Sequence, residues 1–341
     1  MRSKWINKIF EGVVALIFLV GLTTIPAYSQ YITPVGKTEE QTSQLILWYD
    51  QTEVAFGRFS FIQVTNASLV NGVTIHVQIF ASNAPTSRCV EHDFNDFLTA
   101  GDEETYDLSN LSSFGINIDN TKGFVVITAV AGDSGEAISF QHLFGNSIIF
   151  DFNAQSEYRL NSMGRDAEDF VTHGIPPEFT PLDGIDFGFV LIQPDVLKFN
   201  FVTNVDSAPF TFADVVSIAF KDDYDEPPFG GYAAKRGDAV WTPSIFDDAE
   251  SEISCNPVPQ DCFFDIGIND VFTPANPLLD GRTVLCPGNR FGLGWARVRV
   301  SGLDEFENEL GIIGVIGFNP IPPEVSSALE FSGGASWMFV E

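Results

Sequence analysis

Basic residues are scarce in this chain. Lys and Arg number 17 against 46 Asp and Glu, a formal net charge of −29 over 341 residues. Nucleic acid is thereby excluded as a natural partner, because phosphate neutralisation needs clustered Lys and Arg. Attraction to anionic lipid is disfavoured for the same reason. Methionine is rarer still, at three, and stretches of Leu, Ala, Glu, Lys and Arg at helical spacing are almost missing, so long amphipathic helices are not expected. After the first thirty residues no apolar run reaches the roughly 20 residues of a membrane-crossing helix, so no such span is expected once those residues are removed.

Signatures of catalysis and metal binding are sparse as well. No GxSxG nucleophile elbow occurs. The four histidines, His76, His92, His142 and His173, form no HxH or HExxH pair. Gly132-Asp133-Ser134-Gly135 resembles the string around some protease serines, but the same four residues suit a hairpin loop between Val130 and Ile138. His76 and His92 precede Ser134, yet His76 falls inside an alternating strand and neither sits in a protease-like context. Glu91-His92-Asp93 groups three ligand types, but strand neighbours point to opposite faces, and the reading preferred here is solvated loop residues next to Cys89.

The front end reads as an export signal. Arg2, Lys4 and Lys8 supply a positive start, Val13 to Leu22 an apolar run, Pro26 a helix break, and Ala27-Tyr28-Ser29 the small residues of a cleavage site before Gln30. No Cys follows the apolar run, so a lipoprotein anchor is not expected. The first 29 residues hold three cations and one carboxylate, Glu11, so their removal takes the charge from −29 to −31. An acidic surface of this kind keeps a secreted protein soluble.

Strand formers dominate the rest. Phe alone numbers 33, and Gly (29) and Pro (19) punctuate the apolar segments. Val73, Ile75, Val77 and Ile79 alternate with Thr74, His76 and Gln78; Leu197, Phe199 and Phe201 with Lys198 and Asn200; Ala296, Val298 and Val300 with Trp295, Arg297 and Arg299. Period-two alternation marks strands with one wet face. Phe124 to Val130 and Gly311 to Phe318 are apolar throughout and read as central strands covered on both faces. Leu45–Tyr49, Arg58–Thr65, Ser147–Phe152, Glu157–Asn161, Asp186–Ile192, Val215–Phe220 and Ser336–Val340 complete the set, separated by turn signals such as Val70-Asn71-Gly72.

The expected fold is all-β: two tandem immunoglobulin-like or jelly-roll-type β-sandwiches with little helix. Residues 1–29 form the signal, 30–165 the first sandwich, 166–183 a linker rich in proline and charge, and 184–341 the second sandwich. Phe61 to Asn66 matches Phe199 to Asn204 at four of six positions, each followed by an alternating strand, which suggests duplication.

Four cysteines, Cys89, Cys255, Cys262 and Cys286, are expected to be oxidised after export. Cys255 and Cys262 enclose a short loop that suits a local bridge, leaving Cys89 and Cys286 to join the halves; three pairings are open. Calcium is the one cofactor considered, with Asp222, Asp223, Asp225 and Glu226 as candidate ligands, although their spacing is not that of an EF-hand. A second acidic run spans Asp247 to Glu252. Trp295, Arg297 and Arg299 form a candidate binding surface.

The function these features imply is a non-catalytic structural, adhesive or binding module, secreted or held at the cell surface or in the periplasm. Its partners would be a second copy through exposed edge strands, a surface protein or a glycan. The rival readings are a secreted carbohydrate-active hydrolase on a β-sandwich, and an outer-membrane β-barrel.

Overall fold

A computed structural model describes residues 37–38, 41–52, 58–82, 89–132, 134–152, 156–165, 175–182, 196–202, 211–221, 233–236, 239–247, 252–255, 258–260, 263–267, 293–301, 312–318, 334–337 and 339–340. These are mostly strands in antiparallel sheets, with one 3-10 segment, Leu108–Phe114. The first ten strands are β1 (Lys37–Thr38), β2 (Gln44–Asp50), β3 (Arg58–Asn66), β4 (Val73–Ser82), β5 (Cys89–Leu98), β6 (Glu103–Asp107), β7 (Lys122–Val130), β8 (Leu143–Asp151), β9 (Ser156–Asn161) and β10 (Met163–Arg165). They form a six-stranded sheet, ordered β1-β10-β2-β7-β4-β5, and a four-stranded sheet, ordered β6-β3-β8-β9.

The residue pattern explains the layering. β3 and β8 bury every second residue, so each has one covered and one open face. The covered side chains Ile62, Val64 and Leu143 meet Leu45, Leu47 and Tyr49 of β2, Val73, Ile75, Val77 and Ile79 of β4, and Val125, Ile127 and Ala129 of β7 in one apolar core between the two sheets. Strand β7 is buried at all nine positions and lies between β2 and β4, as its unbroken apolar run implies. The 3-10 segment closes one side of this core with Leu108 and Leu111. Asp107 caps its start, accepting from Ser109 N, and Gly115 ends it at φ 74°.

Two expectations need correction. His76 and Gln78 do not face water. The second face of the six-stranded sheet is itself covered, with Ile46, Trp48, Phe80, Phe124 and Val126 all buried. Burial there requires the polar side chains to find partners. His76 Nδ1 pairs with Asn95 Oδ1 at 2.7 Å, Gln78 Nε2 donates to Glu91 at 3.0 Å, and Gln44 Nε2 donates to Thr128 Oγ1 at 2.7 Å. Likewise Glu91, His92 and Asp93 are not loop residues but lie on β5, which pairs with β4 and is an edge strand among the described residues. Carboxylates at an edge discourage pairing with another chain, so Glu91, Asp93 and Asp96 do the work that lysines do elsewhere.

The remaining strands are β11 (Val196–Val202), β12 (Thr211–Lys221), β13 (Ala233–Arg236), β14 (Ala239–Asp247), β15 (Glu252–Ser254), β16 (Val258–Gln260), β17 (Phe263–Gly267), β18 (Leu293–Ser301), β19 (Ile312–Phe318), β20 (Gly334–Trp337) and β21 (Phe339–Val340). One sheet runs β15-β14-β18-β11-β21, with β16 also on β14; the other runs β13-β12-β19-β20, with β17 also on β12. Strand β19 is central, as its apolar sequence implies. The expected strand Asp186–Ile192 lies outside the described residues.

Candidate functional site

At one end of the first pair of sheets, four connections are tied into a single block. Asn66 ends β3 and is fully buried. Its Oδ1 accepts from Ser68 N at 2.9 Å, and its Nδ2 donates to the carbonyls of Asn71 and Thr99, each at 2.9 Å. One side chain therefore fixes both the β3–β4 turn and the β5–β6 turn. Gly101 N then donates to Ser68 O at 2.7 Å, and Ala67 N to His142 O at 2.8 Å. Gly101 has φ 71°, a conformation that suits glycine in a tight turn.

Residues 175–182 complete the block. Phe179 N donates to Ser139 O and Leu182 N to Ala137 O, both at 2.8 Å. Glu178 accepts from Asn71 Nδ2 at 2.8 Å and pairs with His142 Nε2. The His142 hydrogen bond holds the Glu178 carboxyl below the usual carboxylate range. Phe179 adopts φ 63°, unusual for a bulky residue, and its ring lies 5.7 Å from that of Phe140. Backbone strain of this kind persists only where the surroundings over-determine it.

What the block displays is apolar. Leu69 and Val70, at the tip of the β3–β4 turn, are 88% and 83% exposed, and Ile175, Phe179 and Phe97, on the linked segments, are exposed as well. The Phe97 ring lies over Gly72, where a Cβ would come within 2.6 Å of Cζ. Large apolar side chains held out on hydrogen-bonded loops make this block the candidate interaction site. The available sequence signal was Leu69-Val70 itself, two large apolar residues inside a turn otherwise made of Ser, Asn and Gly.

The residues singled out from sequence fare variously. Asp222, Asp223, Asp225 and Glu226 lie outside the described residues. Among those described, no group of three His, Cys, Asp or Glu is placed to hold a metal ion. Trp295, Arg297 and Arg299 fall on β18, opposite Phe246, Ser244 and Thr242 of β14 and Asn200, Lys198 and Val196 of β11. Arg297 stacks over the Phe246 ring at 5.6 Å and lies 3.7 Å from Glu252. Ser134 is exposed in a turn closed by Gly135 N to Ala131 O, and its hydroxyl bonds Glu136. Cys89 begins β5, and Cys255, just beyond β15, is buried and disulfide-bonded. Cys262 and Cys286 lie outside the described residues.

No protein-family model matches the chain, and no curated protein matches it.

Proposed function

We propose that this chain is an exported, acidic, non-catalytic module that binds or scaffolds at the cell surface or in the extracellular space. Its body is two tandem β-sandwiches of immunoglobulin-like or jelly-roll type, spanning residues 30–165 and 184–341 behind a cleaved signal. The observation that carries this reading is the loop block at one end of the first half, rigid in its backbone yet presenting Leu69, Val70, Ile175 and Phe179 to solvent.

Other features favour it over its rivals. Two sheets closing on one core agree with a sandwich, and the described strands form four open sheets rather than one closed barrel. In each half the strand bearing the repeated Phe-x-x-Val segment and the strand after it belong to different sheets, β3 and β4 in one, β11 and β12 in the other, as duplication requires. A hydrolase needs carboxylates converging on substrate. The buried pair Asp50 and Asp151 is instead bound to Arg58, at 3.1 and 2.7 Å.

Returning labelled mature protein to the cells that export it tests the reading, with the double variant L69S/V70S alongside. Retention of the natural chain and release of the variant are expected. Recovery of both in the medium, with release of reducing sugar from a polysaccharide panel, would replace the binding module with the hydrolase.

A further inference from the structure

We infer that Asn71 is a site of spontaneous deamidation, and that its conversion to aspartate or isoaspartate unfastens the segment 175–182 from the β3–β4 turn. Asn71-Gly72 is the one Asn-Gly pair in the 341 residues. Deamidation begins when a backbone nitrogen attacks the side chain of the preceding asparagine, and glycine alone has no Cβ to crowd that nitrogen. The turn leaves the reacting atoms accessible to each other. Among the described residues the Gly72 N–H has no backbone acceptor. Asn71 Nδ2 donates to Glu178 at 2.8 Å, in an exposed contact.

The step balances with water as its one co-reactant. The Gly72 nitrogen gives up its proton and forms a bond to Asn71 Cγ. The Cγ–Nδ2 bond breaks, and Nδ2 takes up a proton and leaves as ammonia. The resulting succinimide adds water at one of its two carbonyls. Opening at Cγ gives aspartate. Opening at the backbone carbonyl gives isoaspartate, whose main chain runs through the former side chain.

Either product removes a tie that the loop block uses. Asn71 Nδ2 is the donor that reaches Glu178, 107 residues along the chain. A carboxylate in its place sets oxygen against oxygen and adds a second negative charge beside Glu178, a repulsive arrangement at this range. Glu178 keeps His142, so the segment loses one of the two side-chain ties at this residue. Isoaspartate goes further. The former Asn71 carbonyl, which accepts from Asn66 Nδ2 at 2.9 Å, becomes a free carboxylate, and the chain gains one carbon at a turn that Asn66 and Ser68 hold in place. Detachment follows from this chemistry whether or not the exposed apolar side chains bind a partner.

Incubating the purified protein at mildly alkaline pH tests the site, with peptide mapping and isoaspartate detection by a protein isoaspartyl methyltransferase. Position 71 is expected to convert ahead of every other asparagine. Asn71→Gln, whose longer side chain must close a six-membered ring, is expected to keep its amide. Conversion of another asparagine while Asn71 stays intact overturns the assignment. Hydrogen exchange reads the consequence. Asn71→Asp is expected to speed exchange of the Phe179 and Leu182 amides, which donate to Ser139 and Ala137, by about fivefold over the fresh natural protein, the effect of losing about one net hydrogen bond. The buried strand β7 is expected to keep its protection. Unchanged exchange at Phe179 and Leu182, or a rise that extends through β7, would show that the Asn71–Glu178 contact does not fasten the segment.

Discussion

The Asn66 amide donates to the Thr99 carbonyl at 2.9 Å, so a residue at the end of β3 holds the turn that follows β5, a strand of the opposite sheet. The same amide binds the Asn71 carbonyl and its oxygen takes the Ser68 N–H. Truncating Asn66 would take the partner from Ser68 N–H and from the Asn71 carbonyl, while the Thr99 carbonyl keeps Asp102 N at 3.2 Å. Each orphaned group costs about 1–3 kcal/mol, and partial hydration at the turn offsets some of this. Asn66→Ala is expected to destabilise by about 2–4 kcal/mol in urea unfolding. Asn66→Asp keeps the acceptor for Ser68 but sets a carboxylate against two carbonyl oxygens, and is expected to be no better. A loss under about 0.5 kcal/mol for both would mean that the loop block holds without its central residue.

Arg58 supports the other end of the same pair of sheets. It donates through Nε and Nη2 to Asp151 and through Nη1 to Asp50, and both carboxylates are buried. Breaking a buried ion pair from one side costs about 3–5 kcal/mol, because a charge stays behind unpaired. Arg58→Ala leaves two carboxylates, whereas Asp151→Asn leaves Arg58 with Asp50. The arginine variant is therefore expected to be the less stable of the two by at least about 1 kcal/mol. Equal midpoints in thermal unfolding would sink this ordering.

Close packing sets a third expectation. A Cβ on Gly123, at the start of β7, would overlap the carbonyl oxygen of Phe80 on the paired strand β4. That neighbour is backbone in a buried ladder and has no free direction in which to yield. Gly123→Ala is expected to cost about 3 kcal/mol or to prevent soluble expression, at the upper end of overpacking effects. A variant of natural stability would mean that β4 and β7 separate more readily than their ladder implies.

Much of the architecture was legible in the sequence because period and burial coincide. The apolar run of β7 and the strand at Arg58–Thr65 could be read directly. What escaped is what depends on neighbours distant along the chain. Thr74, His76 and Gln78 carry the pattern of a wet face, but whether a face is wet depends on a covering layer that strand alternation does not encode. β5 reads as acidic loop because Glu91, Asp93 and Asp96 look like solvated charge, and only its position at a sheet edge gives those charges a place. The site was the least legible part. Asn66 is one asparagine among many until the chain folds Asn71 and Thr99 around it, and the turn signal Val70-Asn71-Gly72 does not tell that Leu69 and Val70 stand out into solvent.

Two buried tyrosines give the fold an alkaline limit. Tyr49 is fully buried in the core and its hydroxyl bonds Thr121 Oγ1 at 3.0 Å; burial raises its pKa well above the ordinary value. Tyr106 is raised as well, by burial first and then by Asp96, to which its hydroxyl donates at 2.9 Å. The unfolded chain ionises these phenols near about pH 10, while the folded chain keeps both protons. The stability they contribute is thus complete below about pH 10 and declines as pH climbs toward the folded-state values. Linkage sets the decline at up to about 1.4 kcal/mol per pH unit for each tyrosine. Urea unfolding between about pH 8 and about pH 11 should show a plateau followed by a fall, and Tyr49→Phe should make the fall shallower while costing about 1 kcal/mol at neutral pH. Phenolate absorbance distinguishes the cause: these two side chains should ionise only together with unfolding. Ionisation of every tyrosine near about pH 10 in a still-folded chain would show that neither phenol is shielded, and the core around Tyr49 would have to be wetter than its place in one buried apolar cluster with Ile62, Ile79 and Val125 allows.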